Sequence, residues 1–164
     1  MLNMKKLLLL ALVLLGVGYA SAQLPSVQLK DINGKTIDTA SLNNDGKPFV
    51  VSFFATWCKP CLRELRAINE LYPDWQEETG MKLIAVSTDE AQNVHKVKPL
   101  VDSEGFEYEV LLDSNQDLQR ALGIQMIPYV MIIDGDGNIV ETRNGYTDGS
   151  EAHIIEKIRE LTLD

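Results

Sequence analysis

The rhythm of apolar and polar positions changes several times along this chain, and each change marks an expected element. Lys47 to Ala55, "KPFVVSFFA", is almost continuously apolar and rich in valine and phenylalanine. Such a run predicts a central strand covered on both faces. From Cys61 onward Leu65, Ile68, Tyr72 and Trp75 recur at helical spacing, which predicts an amphipathic helix. The pattern then alternates, with Met81 to Thr88 reading as a strand, Glu90 to Glu104 as a helix and Tyr108 to Asp113 as a strand. Gln116 to Leu122 reads as a short helix and Tyr129 to Asp134 as another strand. "DGDGN" is a hairpin turn into "IVETR", and Glu151 to Leu163 closes the chain as an amphipathic helix. This alternation implies an α/β fold with a largely parallel sheet.

A length of 164 residues accommodates one domain with a good core, and 45% hydrophobic and 24% charged residues are ordinary globular values. Neither repeats nor low-complexity linkers interrupt the chain; Asn43-Asn44-Asp45-Gly46 reads as a surface turn.

The first 22 residues follow a different pattern. Lys5 and Lys6 precede an apolar run from Leu7 to Val17, too short to span a bilayer comfortably, and Ala20-Ser21-Ala22 is a small-x-small processing site. Together they read as a secretory signal peptide followed by one domain over residues 23–164, an uncleaved membrane anchor being the other reading. No cysteine stands near the cleavage site to carry a lipid. Removing residues 1–22 takes away two lysines and no acids, moving the net charge from −9 to −11. Nucleic acid is therefore not an expected partner.

Export bears on the two cysteines, Cys58 and Cys61, which are separated only by Lys59 and Pro60. A structural bridge stabilises mainly by closing a long loop, and this one closes almost none. A c-type haem site needs histidine directly after the second cysteine, where Leu62 stands. Structural zinc needs four ligands, and the chain offers one cysteine pair with two isolated histidines, His95 and His153, on stretches that read as surface helix. The Asp134, Asp136 and Asn138 spacing hints at calcium, but Ile139 occupies the glycine position and Gly145 that of the bidentate acid. Redox chemistry remains.

The pair lies where a buried strand turns into a helix. Pro60 suits the first turn, where its missing N–H is not needed. Cys58 falls at the helix N-terminus, where unpaired amides and the positive end of the dipole favour a thiolate, so it is expected exposed and attacking. Counting about 100° per residue, Leu65, Ile68, Tyr72 and Trp75 fall within about 40° of Cys61, which therefore points into the packed side. Cys58 and Glu64 lie roughly 60° from it on opposite edges of that stripe. A carboxyl at Glu64 reaches the half-buried region beneath the sulfurs, where desolvation raises its pKa and lets it exchange a proton with Cys61. Spacing alone leaves a solvated glutamate equally open.

"FFATWCKPCLRE" resembles the active-site segment of the TlpA-like, thioredoxin-fold disulfide reductases of the bacterial envelope, as does "GIQMIPYVMIIDGDGNIV" at Gly123 to Val140. The resemblance covers essentially the whole mature chain. It implies a thioredoxin fold with a central mixed, mostly parallel sheet flanked by helices, with Thr88 to Asp113 as a helix-and-strand insertion. It also implies a cis proline at Pro128 facing the sulfurs, a substrate strand lying against Ile127, and an acid matching Glu64. Thioredoxin itself carries a buried aspartate six residues before the first cysteine, where this chain has Ser52. On this reading Cys58, Cys61 and Glu64 carry the chemistry, while Trp57, Lys59, Pro60, Ile127 and Pro128 bind substrate; Trp57 reads equally as a core aromatic. The expected partners are disulfide-bearing envelope proteins and a membrane electron donor, in the periplasm, with neither metal nor cofactor.

Two rival readings stand beside it. One is a copper(I)-handling module using the two thiolates; against it stands the lack of a third soft ligand nearby, with Met126, close to Pro128 in sequence, the one candidate. The other is a thiol peroxidase, which needs a threonine three residues before its cysteine; here that residue is Ala55, and Thr56 is one place off. Intact-mass measurement of the envelope form is expected to show a chain beginning at Gln23; retention of residues 1–22 would favour the anchor.

Overall fold

The computed structural model describes residues 22–163. The signal-peptide expectation falls on residues 1–22, of which all but Ala22 lie outside that range. A seven-stranded sheet in the order β2-β1-β5-β4-β3-β6-β7 organises the chain. Its strands are β1 Gln28–Asp31, β2 Thr36–Asp38, β3 Phe49–Phe54, β4 Lys82–Ser87, β5 Glu109–Leu112, β6 Tyr129–Ile133 and β7 Ile139–Asn144. The helices are α1 Lys59–Thr79, α2 Val97–Glu104, α3 Asp117–Ala121 and α4 Ala152–Leu163.

All six residues of β3 are buried, as a strand with cover on both faces must be. On one face Val50 and Phe54 pack with Leu65 and Ile68 of α1, Val97 of α2 and Ile158 of α4. On the other Val51 and Phe53 join Leu29, Leu111 and Leu118 in a second cluster. Period-2 alternation thus feeds two cores from one strand.

The sheet is mixed, but its parallel part is narrower than the alternation of elements implies. Only β3 with β4 and β4 with β5 pair parallel; β1, β2, β6 and β7 join antiparallel. Two of the antiparallel strands, β1 and β2, were not among the expected elements. They are short, with Leu29 their one buried residue, so the period-2 signal has almost nothing to act on.

The expected helix over Glu90 to Glu104 is also shorter. Only Val97–Glu104 is α-helical, preceded by a 3-10 turn at Val94–Lys96. Pro99 explains the late start: near a helix N-terminus its missing N–H is harmless, whereas in the interior of a helix begun at Glu90 it would remove a hydrogen bond and clash. His95 therefore sits in the 3-10 turn, exposed; His153 is exposed on α4 and bonds Glu141 Oε1 at 2.9 Å. The DGDGN turn is closed by its own side chain, Asp134 Oδ1 accepting from the N–H groups of Asp136 and Asn138 at 3.0 and 2.8 Å.

Asn44 to Lys47 turns tightly into β3, with Asp45 and Gly46 at φ 52° and 79°. Gly135 packs against that turn: a Cβ there would lie 2.1 Å from the Gly46 carbonyl oxygen. Because the obstacle is backbone, Gly135→Ala is expected to destabilise the protein by about 1–3 kcal/mol or more. Urea unfolding monitored by tryptophan fluorescence measures this, and an unchanged midpoint would show that the turn yields.

Candidate active site

The C-terminal end of β3 runs through Ala55 to Trp57 into α1, and both cysteines lie at that junction. Cys58 is the N-cap residue: its Sγ accepts from Cys61 N at 3.3 Å and its carbonyl from Leu62 N at 3.1 Å. Pro60 stands in the first turn, as its missing donor allows. The two sulfurs are joined as a disulfide, with the Cα atoms 5.3 Å apart. Cys61 is fully buried. Cys58 retains only 5% exposure, less than its place at a helix end suggests, because it belongs to the same apolar cluster as Leu62 and Leu65.

Glu64 is one turn further along α1 and only 4% exposed. The Ser52 hydroxyl, fully buried on β3, donates to its Oε2 at 3.3 Å. Burial pushes the Glu64 carboxyl from 4.5 up to about 7, against the Ser52 hydrogen bond and the positive charge of Arg143, with Glu151 adding a smaller upward push.

The Ile127–Pro128 peptide bond is cis. Phe53 pairs with Tyr129, so Pro128 enters β6 at the sheet end where β3 delivers Cys58. Pro128 is buried and Ile127 half-buried, the latter packing against the apolar cluster that contains both cysteines. Trp57 is 67% exposed, which removes the core-aromatic reading. It borders a groove of about 440 Å³ whose other walls include Asn93, Lys96 and Leu100, all from the Thr88 to Asp113 stretch. Lys59 is exposed and Pro60 half-buried. Met126 is 57% exposed.

One group at this junction escaped the sequence reading. Asp89, 1% exposed just beyond β4, accepts from Thr56 N at 2.7 Å, Thr56 Oγ1 at 2.6 Å and Ser87 Oγ at 2.9 Å. It pins the loop that leads into Cys58 and occupies the Thr56 hydroxyl. Its signal in the sequence is an acid directly after a strand, which is too common to single out.

The AhpC/TSA family matches residues 20–142. The chain belongs to that family. It is 36% identical over 117 residues to the thiol-disulfide oxidoreductase ResA of Bacillus thuringiensis (strain Al Hakam), a match covering 71% of this chain and 65% of that relative's length. With ResA of Halalkalibacterium halodurans it shares 30% identity over 142 residues, 87% of this chain and 76% of the relative. Among solved structures, a thioredoxin-like protein from Porphyromonas gingivalis is 62% identical with a TM-score of 0.78, covering 87% of this chain and 94% of that one. StoA from Bacillus subtilis, at 24% identity and a TM-score of 0.63 over 85% of this chain and 97% of that one, shares the fold. The fold is thus thioredoxin-like, as the resemblance implied.

The raised Glu64 pKa makes stability depend on pH. Between pH 4.5 and about 7 the unfolded chain has lost this proton while the folded one still holds it, so stability falls as pH rises through that window and levels off above it. The full difference is about 3 kcal/mol. Glu64→Gln is expected to lack that decline, gaining on the native protein as pH rises from 4 to 8. Urea titrations of the oxidised forms across this range check it; parallel curves would remove the raised pKa.

Proposed function

We propose that this protein is an exported thiol-disulfide oxidoreductase that reduces disulfides of envelope proteins. The observation that carries the reading is the Cys58–Cys61 pair capping α1 with a buried, hydrogen-bonded carboxyl one turn below it. The relatives named as thiol-disulfide oxidoreductases support it.

In the reduced form Cys58 thiolate attacks a substrate sulfur, forming a mixed disulfide and releasing the other substrate sulfur as thiolate. Substrate lies against the Ile127 backbone beside Pro128, with Trp57, Lys59 and Pro60 bordering the contact. Cys61 then gives its proton to Glu64 and attacks Cys58, which closes the Cys58–Cys61 bond and frees the reduced substrate. Two electrons leave the protein, and a membrane donor restores them. A like-charged carboxylate at Glu64 opposes a nearby thiolate, which favours the disulfide form and hence a reductant. Lys59 is exposed, so its attraction for the thiolate is screened.

The sequence pattern of residues 1–22 supports export to the periplasm. Among the described residues no helix is long and apolar enough to cross a membrane. For the peroxidase alternative, the nearby Thr56 hydroxyl is engaged by Asp89.

Cys61→Ser is expected to accumulate mixed disulfides through Cys58, recoverable from periplasmic extracts and lost in Cys58→Ser. Equilibration with glutathione is expected to give a potential nearer about −270 mV than about −120 mV. A value at the oxidising end would make the protein a disulfide donor instead.

A further inference from the structure

Glu64 can accept the Cys61 proton only while it is ionised, yet it lies in an apolar cluster that resists charge. Something must hold the carboxylate. The register of the sheet identifies a candidate outside the cysteine motif. Ser52 pairs with Val130, and Val130 pairs with Arg143, so the three residues form one row across β3, β6 and β7. Cross-strand partners share a face, and Val130 packs in the cluster that holds both cysteines and α1. Arg143 therefore projects on the Glu64 side of the sheet, two strand spacings or about 10 Å of backbone from Ser52. It is half-buried, and its Nη1 donates to the Ser150 carbonyl at 3.1 Å, which anchors it beneath the loop into α4.

We propose that Arg143 is a positioning residue for the exchange reaction, holding Glu64 in its charged form at the pH where Cys61 must lose its proton. This rests on the reading of Glu64 as the proton acceptor. The proton leaves Cys61 Sγ for a Glu64 carboxylate oxygen. Cys61 thiolate then forms the bond to Cys58 Sγ as the Cys58–substrate bond breaks, and its electron pair departs on the substrate sulfur. The positive charge of Arg143 is not consumed; it sets how often the acceptor is ready.

The other groups around Glu64 do not supply that charge. Ser52 offers a neutral hydroxyl. Glu151, before α4, carries the opposite sign and accepts from Tyr146 Oη at 2.9 Å. Tyr108, at the entrance to β5, is held neutral by burial and donates to the Leu65 carbonyl. Glu141, on the same face of β7, is engaged by His153 of α4. On α1 itself, Arg63 bonds Asp148 and Arg66 bonds Glu104, both exposed pairs. The positive charge that draws the Glu64 carboxyl toward its ionised form is that of Arg143.

The test follows the Glu64 side-chain carboxyl by carbon-13 NMR in the oxidised full-length protein, and in parallel the pH profile of disulfide reduction. Arg143→Gln is expected to move the Glu64 midpoint upward by about half a unit to one unit and to carry the pH limb of the rate with it. Arg143→Lys is expected to restore both. In a Glu64→Gln background, Arg143→Gln is expected to leave the pH profile where Glu64→Gln alone puts it. If Arg143→Gln does not fold, Arg143→Met, which keeps the aliphatic stem and removes the charge, is read in the same way: an upward shift of the Glu64 midpoint supports the proposal and an unmoved one overturns it. A Glu64 midpoint unmoved in Arg143→Gln would sink the role of Arg143 while leaving Glu64 as acceptor. A Glu64→Gln profile identical to the native one would sink the acceptor itself.

Discussion

Everything at the reactive end depends on one constraint: β3 is paired on both edges and covered on both faces, so its C-terminal end is held from every side. β4 holds it in parallel register and β6 in antiparallel register over most of its length. Whatever the chain attaches to that end is placed by the sheet. Ala55 to Trp57 carry it to Cys58, Asp89 ties down the passage from the β4 side, and Tyr129 brings Pro128 alongside from the β6 side. The helix that follows begins where the fixed strand lets it begin. Its first turn of free amides then meets a sulfur instead of water.

A carboxyl beneath that junction is an unusual expense for a core. Burying it without partners would cost several kcal/mol, and one hydroxyl and a remote cation only partly offset this. The compromise is a proton affinity near neutrality, raised to about 7. Such a group changes charge within the range where a thiol also needs to change charge, which is the property wanted in a proton acceptor for a buried cysteine. Packing supplies the shift, and the Ser52 hydroxyl and the Arg143 charge limit it.

The site was legible to different degrees. Cys58 and Cys61 are adjacent in the chain, and the strand-to-helix change around them is written in local pattern, so both could be placed without tertiary information. Glu64 was half legible: helical spacing put it at the edge of the packed stripe, but that it is only 4% exposed depends on what other segments pack against that edge. Trp57 could not be assigned from sequence, since an aromatic beside a motif is buried or exposed according to what crosses it. Asp89 and Arg143 were invisible for a stronger reason. Asp89 meets Thr56 across 33 residues of chain, and Arg143 reaches the row of Ser52 only through the pairing of β3 with β6 and of β6 with β7, so one acid or one arginine carries no local mark.

The same division holds for the fold. Long, strongly periodic segments, β3 and α1 above all, are determined by the sequence itself, because a continuous apolar run and a helical stripe each have one economical way to be buried. The proximity of the two cysteines and the helix-capping position of Cys58 belong to that category too. Tertiary structure decided the rest: that β1 pairs onto β5 and β2 onto β1 although the two bury almost nothing, and that the sheet is parallel only at its centre. It also decided that a glutamate on the flank of a helix is sealed from water and meets a serine and an arginine from two different strands. Register is a property of pairs of strands, and no single strand states it.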